Sequence, residues 1–220
     1  MPSAPRTGAA GRQAALDALR KAITDGDMSP GQRLVEAELA DMYGVTRASV
    51  RAALIDLTGE GLVERIPNRG ARVRVVPVEE AVAITECRMV LEGLCAAKAA
   101  ERATDEDIER LTELASQLRR AVDDGELMKY SALNHELHRL VREISDQAPA
   151  AELLERLQGQ LVRHQFRLSL RAGRPQVSVD EHLAIVQAIA ARDADGARDA
   201  TYQHLRSVID ALRETDNGRR

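Results

Sequence analysis

Residues 34–74 read LVEAELADMYGVTRASVRAALIDLTGEGLVERIPNRGARVR, and this stretch decides the fold of the first part of the chain. Apolar residues recur at helical spacing on both sides of Gly44, which predicts two helices joined by a tight turn. Glycine suits such a turn because it adopts a positive φ without steric cost. Residues 63–66 and 71–75 follow as two β-like runs, joined by residues 67–70. The pattern predicts a winged helix-turn-helix.

The second of these helices carries the residues that we expect to contact DNA. Thr46 stands at its predicted N-cap, and Arg47, Ser49 and Arg51 occupy its first turns. The first turns of a recognition helix enter the major groove, where arginine binds guanine and serine binds a phosphate or a base edge. The alternative is an ordinary helical hairpin with solvated arginines. A basic wing favours DNA, and the predicted wing carries Arg69, Arg72 and Arg74.

Residues 12–76 resemble the DNA-binding domain of GntR-family transcription regulators. The matching motifs are residues 30–34 (PGQRL), 38–40 (ELA), 44–47 (GVTR), 50–54 (VRAAL), 61–63 (GLV) and 68–70 (NRG). The resemblance implies operator contacts by Arg47, Ser49 and Arg51 in the helix and by Arg69 and Gly70 at the wing tip. Ala48 and Ser49 stand where many relatives have Thr-Pro, which implies a changed operator sequence with the same mode of binding.

The composition fits two domains without a general coat of positive charge. At 220 residues the chain exceeds one typical domain, and with 2% aromatic residues its core must rely on aliphatic side chains. Residues 1–76 hold 11 Lys/Arg against 9 Asp/Glu, a net of +2, whereas the remainder holds 20 against 26, a net of −6. The charge available to DNA is therefore a local patch of arginines.

The ends of the chain and its cysteines indicate a cytoplasmic protein. Residues 1–11, rich in Ala, Gly, Ser and Pro, are predicted to form a disordered tail. No apolar run is long enough to span a bilayer, and the N-terminus does not resemble a signal peptide, so no membrane partner is expected. Cys87 and Cys95 share one predicted helix, roughly 12 Å apart along its axis, which is too far for a disulfide.

After Pro77 the pattern changes to long helical periodicities. Residues 77–216 are predicted to form an all-α bundle of six helices, at 79–101, 104–123, 126–145, 149–171, 178–192 and 195–214. Breaks separate them, for example at residues 123–125 (DDG) and 172–175 (AGRP). The predicted fold class is therefore mainly α, with a winged helix-turn-helix and its small β wing followed by an all-α six-helix bundle.

Histidines on three of these helices are candidates for metal binding. Asn134 and His138 lie at i, i+4 on one helical face, and His182 and His204 lie on two other predicted helices. Three imidazoles and an amide oxygen have the chemistry to hold Zn²⁺, Ni²⁺ or Mn²⁺. The spacing itself is not a metal motif, and His135 and His164 compete as candidates. Unconnected histidines of the core or surface are the alternative interpretation.

Residues 80–206 resemble the all-helical FCD domain, the effector-binding domain of the FadR-type branch of the GntR family. The matching motifs are residues 88–92 (RMVLE), 134–138 (NHELH), 181–189 (EHLAIVQAI) and 204–205 (HL). The resemblance implies a metal site at Asn134, His138, His182 and His204, the first of which is usually aspartate. Because an amide is a poorer ligand than a carboxylate for a hard cation, Asn134 favours metals that prefer histidine.

The resemblance also implies that a carboxylate effector completes the metal site. Arg88 matches a family position that faces the cavity, with an intrahelical pair to Glu92 as the alternative. Arg163 is a further candidate for the carboxylate unless it is simply solvated, and Tyr130 is a candidate lining residue unless it packs in the core. The shortage of aromatic residues favours a small organic acid, such as a sugar acid or hydroxy acid, over a long acyl chain.

Together these features predict a ligand-responsive transcription regulator rather than an enzyme. Because one helix-turn-helix reads one half-site, we expect a homodimer on a pseudo-palindromic operator. In the family, repression relieved by the effector is the commoner outcome. One alternative is a sensor in which the metal ion itself is the effector. The other is a metal-dependent hydrolase, for which Glu181 beside His182 is poorly aimed as a general base.

Overall fold

The computed structural model describes residues 5–67 and 70–217, and within this part the chain divides into two compact units. One unit holds the described residues up to Val76 together with Gln158–Arg163. The other holds Pro77–Leu157 and the described residues from His164 on. The first unit therefore combines an N-terminal segment that ends at Val76 with residues 158–163. The domain boundaries at residues 12–76 and 77–216 remain predictions.

The first unit is a winged helix-turn-helix. Its elements are α1 (Gly8–Thr24), β1 (Arg33–Leu34), α2 (Glu36–Tyr43), α3 (Arg47–Gly59), β2 (Val63–Ile66) and β3 (Gly70–Val73). The strands form an antiparallel sheet in the order β1-β3-β2, with Val63 opposite Val73 and Leu34 opposite Ala71. Both predicted wing strands are present. Strand β1 was not predicted because two residues are too few to show a period.

Two local signals define the helix-turn-helix. Gly44 ends α2 with a φ of 61°, a left-handed conformation that glycine adopts without strain. Thr46 caps α3, where its side-chain oxygen accepts a hydrogen bond from the Ser49 N–H at 3.2 Å. Aliphatic side chains of α1, α2 and α3 then pack in one core, in which Leu19 and Leu57 are fully buried. The turn and cap predicted from the sequence are both confirmed.

The chain is ordered closer to its N-terminus than predicted. Helix α1 begins at Gly8, and the Arg6 N–H donates a hydrogen bond to the Gly44 carbonyl at 2.9 Å. A Cβ placed on Gly11 would lie 2.5 Å from the Arg6 carbonyl oxygen. Residues 5–11 therefore belong to the folded unit, since small residues permit this close backbone contact. Residues 1–4 of the predicted tail lie outside the described residues.

From residue 77 on, the described chain contains helices and no strand, which confirms the mainly α fold class. The helices are α4 (Val78–Arg102), α5 (Asp105–Asp123), α6 (Leu127–Ser145), α7 (Ala148–Gln160), α8 (Val162–Ser169), α9 (Arg174–Ala190) and α10 (Ala194–Asn217). None of the helices within the described residues combines the length and apolar character needed to cross a bilayer.

Two boundaries differ from the predicted six helices. The helix predicted at 149–171 is interrupted at Leu161, whose N–H bonds to the Gln158 carbonyl three residues back instead of continuing the α-helical pattern. Helix α9 begins at Arg174, earlier than its predicted start at residue 178. The Gly-Arg-Pro segment, interpreted as a break, is a helix start because Gly173 has a φ of 80° and Pro175 fits the first helical turn.

The contact between α4 and α10 depends on one glycine. A Cβ on Gly93 would overlap the ring of Tyr202. We expect Gly93→Ala to destabilise the second unit by about 1 to 3 kcal/mol, because overpacking forces the ring out of place. In a Tyr202→Ala background the same substitution should cost much less. Denaturant unfolding of the four proteins measures this coupling, and an equal cost in both backgrounds would contradict the contact.

Candidate nucleic-acid interface and metal centre

In the first unit, helix α3 and the sheet border a cleft of about 250 Å³ with positive charge along its walls. Three exposed arginines line it, namely Arg33 of β1, Arg51 of α3 and Arg65 of β2. Such a concentration of arginine suits the phosphates of DNA. Arg33 and Arg65 were not predicted as contacts, because only the folded sheet places these strand residues beside α3.

Arg51 is held in place by a carboxylate of α2. Its Nε and Nη2 donate hydrogen bonds to Glu36 at 3.0 and 2.6 Å, and this pair lowers the pKa of Glu36. The Arg51 side chain is still 61% exposed, and ion pairs with that exposure are weak. Arg51 therefore lies in a defined position from which it can exchange Glu36 for a base or a phosphate.

The predicted contacts Arg47 and Ser49 differ in accessibility. Arg47 is exposed at the first position of α3. Ser49 is only 5% exposed, and its hydroxyl lies 2.9 Å from that of Thr46. A Cβ on Gly11 would lie 2.7 Å from the Ser49 oxygen, so this hydroxyl faces α1 and the domain interior. The structure therefore does not support a contact between Ser49 and DNA.

Of the arginines predicted on the wing, only part is exposed among the described residues. Gly70 is exposed at the start of β3 with a φ of 88°. Arg69, predicted at the wing tip, lies outside the described residues. Arg72 is exposed and lies 2.7 Å from Glu64 in an ion pair, whereas Arg74 is half-buried. Among the described residues of the wing, Gly70 and Arg72 are exposed, as is Arg65 of β2.

The second unit brings together the three histidines selected from the sequence. His138 of α6, His182 of α9 and His204 of α10 have candidate ligand atoms that all lie within 4.8 Å of one another. The Nε2 atoms of His138 and His182 are 3.1 Å apart. Tetrahedral ligands at the usual Zn–N distance are roughly 3.3 Å apart. His135, a neighbour on α6, is exposed and does not belong to the cluster.

Two carboxylates hold the outer nitrogens of two of these histidines. Glu181 Oε2 lies 2.7 Å from His204 Nδ1. Glu92 Oε2 lies 3.2 Å from His138 Nδ1, as an ion-pair contact without hydrogen-bond geometry. A histidine whose Nδ1–H points outward to a carboxylate offers the Nε2 lone pair inward, as metal-binding histidines do. Glu181 is therefore engaged with a candidate ligand and is not a free general base.

Tyr130 reaches the cluster only indirectly. The Ser178 hydroxyl lies 3.5 Å from His182 Nδ1, a long contact, and it acts on the pKa of Tyr130. Tyr130 packs in the core, where burial raises the pKa of its hydroxyl. It is not among the residues that line the cavity beside the histidines. The alternative interpretation of Tyr130 as a core residue is the one that the structure supports.

Burial disfavours the charged form of two of the histidines. Burial lowers the pKa of His182 well below its usual value, and the neighbouring imidazoles lower it further. Burial also lowers the pKa of His204, although its hydrogen bond with Glu181 opposes the shift. Burial alone would raise the pKa of Glu92, but the charges of Arg88 and His138 outweigh it and hold that pKa well below its usual value. Neutral imidazole is the form that binds a metal.

The side-chain oxygen of Asn134 indicates whether a metal ion fits beside the histidines. Its Oδ1 is buried without a hydrogen-bond partner in the described structure, and it precedes His138 by one turn of α6. An unpaired buried carbonyl oxygen is costly, so native proteins rarely leave one. Because it lies one helical turn from His138, this oxygen is a candidate fourth ligand beside the three histidines. The chemistry of three imidazole nitrogens and one amide oxygen fits a divalent metal ion.

The two arginines predicted to bind an effector are not among the residues beside the histidine cavity. Arg88 is buried and its Nε donates to Glu92 Oε1 at 2.9 Å, the intrahelical pair that was the alternative interpretation. Arg163 is exposed and groups with the first unit, whereas the histidines belong to the second.

A third arginine lines that cavity. Arg142 borders a space of about 20 Å³ together with His138 and His182. Its Nη1 is buried without a hydrogen-bond partner among the described residues. Arg142 was not predicted, although its position one turn after His138 on the same helical face is a signal visible in the sequence.

Each of the two units matches a known protein family. Residues 12–73 match the family described as "Bacterial regulatory proteins, gntR family", and residues 83–207 match the FCD domain. The chain is 28% identical to the HTH-type transcriptional repressor RspR of Escherichia coli K12, over 89% of this chain and 86% of that one. It is 33% identical to an HTH-type transcriptional regulator in an unstable DNA locus of Streptomyces ambofaciens, over 88% and 81% of the two chains.

A solved structure shows the same fold. Escherichia coli McbR/YncC superimposes with a TM-score of 0.78 at 22% identity, over 93% of this chain and 98% of that chain. The matches cover the winged helix-turn-helix and the helical bundle, and the related proteins are transcription regulators, not enzymes. The chain therefore belongs to the GntR family of DNA-binding transcription regulators and carries an FCD domain after its winged helix-turn-helix.

Proposed function

We propose that this regulator is a cytoplasmic, metal-containing repressor that a small carboxylate releases from its operator. The observation that supports it most is the convergence of His138, His182 and His204 around a common point, with the unpaired Asn134 oxygen on the same face of α6 as His138. The repressor assignment is supported by the relative RspR, whose name describes a transcriptional repressor.

The metal would be held by the three histidines and by Asn134. Because these ligands are all neutral, they leave the double positive charge of the ion uncompensated. A carboxylate would therefore be attracted to the ion, most strongly where water is excluded. The nitrogen-rich set favours Zn²⁺ or Ni²⁺ over Mn²⁺, which prefers carboxylate ligands.

On the DNA side, we propose that Arg47 and Arg51 contact the major groove and that Gly70 and Arg72 approach the DNA backbone. Arg47 and Arg51 are exposed at the start of a capped helix, the part of a helix-turn-helix that meets base edges. Arg69 remains a prediction. Two chains would act as a homodimer on a pseudo-palindromic operator, since each helix-turn-helix reads one half-site.

The small size of the cavity suggests how a ligand alters the protein. A space of about 20 Å³ admits a guest the size of one water molecule. A carboxylic acid is larger, so its binding must displace side chains such as Leu137, Val141 and Ile185. A ligand that binds only the rearranged bundle shifts the protein toward that state, and operator affinity changes by the same coupling free energy.

The small size of this cavity also favours one alternative, in which the metal ion alone is the effector. An ion fits the existing arrangement without enlarging the cavity. Operator affinity that follows the concentration of free Zn²⁺, with no organic acid present, would favour this alternative over the carboxylate-responsive repressor.

Thermal unfolding of the full chain tests the proposal directly. We expect Zn²⁺ or Ni²⁺ to raise the unfolding temperature of chelator-treated protein, since a ligand that binds only the folded state stabilises it. We further expect some small carboxylates to raise it again, but only after metal has been added. Carboxylates that stabilise the metal-free protein equally would contradict a role for the metal in binding them.

Asn134 can be tested by restoring the family's carboxylate. We expect Asn134→Asp to raise the affinity for Mn²⁺ on the order of tenfold, with a smaller change for Zn²⁺, because hard cations prefer charged oxygen ligands. Competition with a fluorescent chelator measures both affinities. His135→Asp, which adds a carboxylate at the neighbouring exposed position of α6, is the matched control. An equal gain in the two variants would remove Asn134 from the ligand set.

A further inference from the structure

We infer that the effector is a dicarboxylate, with one carboxylate at the metal and the other bound by Arg142. This inference rests on the proposed metal-dependent binding of a carboxylate and adds the chemical class of the ligand. It depends on three observations, namely the position of Arg142 along α6, its unpaired guanidinium nitrogen, and the balance of charge around the cavity.

Asn134, His138 and Arg142 follow one another at intervals of four residues along α6. Side chains at this spacing lie on one face of a helix, about 6 Å apart along its axis. His138 and Arg142 both line the small cavity, as does His182 from α9. A ligand bound to the metal at one end would thus meet the Arg142 guanidinium roughly one helical turn further along α6.

Arg142 is half-buried, and one nitrogen of its guanidinium lacks a hydrogen-bond partner within the described residues. This nitrogen, Nη1, is buried. Glu92 attracts it but forms its own ion pair with Arg88, at 2.7 Å. Glu155, a second carboxylate whose charge acts on Arg142, is exposed to solvent. A buried guanidinium nitrogen without a partner is unfavourable, and a carboxylate is the best geometric partner of a guanidinium.

The charge balance separates a dicarboxylate from a monocarboxylate. The other buried charges of the region form ion pairs, Arg88 with Glu92 and Arg174 with Glu181. Since Asn134 replaces the usual aspartate, none of the four candidate metal ligands carries a negative charge. A divalent ion held by these ligands and the Arg142 guanidinium would therefore both carry positive charge at the cavity. One carboxylate neutralises only part of this charge. An acid with two carboxylates, separated by two or three carbons, supplies an anion at each position.

The experiment compares acids of similar size on the zinc-loaded full chain. Binding of succinate, glutarate and butyrate is measured by calorimetry, and elemental analysis before and after confirms that zinc is retained. We expect succinate or glutarate to bind roughly ten- to a hundredfold more tightly than butyrate, the range of a charge-assisted hydrogen bond in a buried site. This comparison uses the unaltered protein and does not depend on a variant that must fold.

Arg142→Gln then assigns the preference to one residue. We expect it to bind succinate and butyrate with similar affinity while keeping the zinc content and the unfolding temperature of the wild type. Arg139→Gln is the control, because Arg139 lies on the exposed side of α6 and pairs with Glu136 and Glu143. It should retain the preference.

The outcomes distinguish this inference from the proposed function. Zinc-dependent binding of butyrate as tight as that of succinate, or a preference that survives in Arg142→Gln, would overturn the dicarboxylate while leaving the proposed function in place. Absence of zinc binding, or acid binding that is independent of zinc, would overturn both.

Discussion

Replacing His182 by alanine is expected to lower zinc affinity by at least about a hundredfold, since losing a residue that only hydrogen-bonds a metal ligand already costs up to that much. His182 is 1% exposed, and its Nε2 lies 3.1 Å from that of His138, so it occupies the centre of the cluster. Without His182, only the imidazoles of α6 and α10 remain, and α9 no longer contributes a ligand to the metal. Chelator competition and elemental analysis of dialysed protein measure the loss.

His135→Ala is the matched control for this substitution. It also removes one histidine from the second unit, but from an exposed position outside the cluster. We expect it to bind zinc as the wild type does. Equal zinc affinity in His182→Ala and His135→Ala would show that zinc does not bind at the three-histidine cluster.

Replacing Arg51 by alanine is expected to weaken operator binding roughly tenfold at each half-site, the usual discrimination from one good arginine-base contact. In a dimer both half-sites lose the contact, so the total loss is roughly a hundredfold. Folding should be preserved, because Arg51 is largely exposed and its pair with Glu36 is a surface pair. Fluorescence anisotropy with a duplex selected by the protein from random sequences, at one fixed salt concentration, measures the affinity.

Arg12→Ala provides the comparison. Arg12 makes a similar two-point pair with Asp56, at 2.7 and 2.6 Å, and its side chain is 54% exposed. It lies on α1 and pairs with the C-terminal half of α3, beyond the first turns that are proposed to contact DNA, so its loss should leave operator affinity close to that of the wild type. A similar loss in the two variants would indicate that surface charge in general, and not the start of α3, determines binding.

The helix-turn-helix was predictable because its determinants are local. Gly44 requires no partner to adopt its positive φ, and Thr46 caps the helix that begins at the next residue. The short strand β1 was not predictable in this way, because its two residues are held by pairing with β3, distant in the chain. Ser49 shows the same limit, since its burial depends on the close approach of Gly11.

Of the candidate metal centre, the sequence predicted the histidine ligands but not the residues that contact them. His138, His182 and His204 stand in motifs of the sequence, and the structure brings them together. Their outer partners Glu92 and Glu181 belong to other helices, and the sequence carries no spacing that connects them to the histidines they contact. Arg142 is different, because its position one turn beyond His138 was visible, but its lack of a partner appears only in the folded bundle.

In the proposed mechanism, the metal and an acid in the bundle together control operator binding. Operator affinity of the full chain, metal-free and zinc-loaded, is therefore measured with and without the carboxylate that stabilises the zinc-loaded protein most. We predict that the acid weakens operator binding of the zinc-loaded protein alone, roughly 5- to 150-fold, the usual range of coupling between two sites. The same operator affinity in all four conditions would show that the bundle ligands do not control DNA binding.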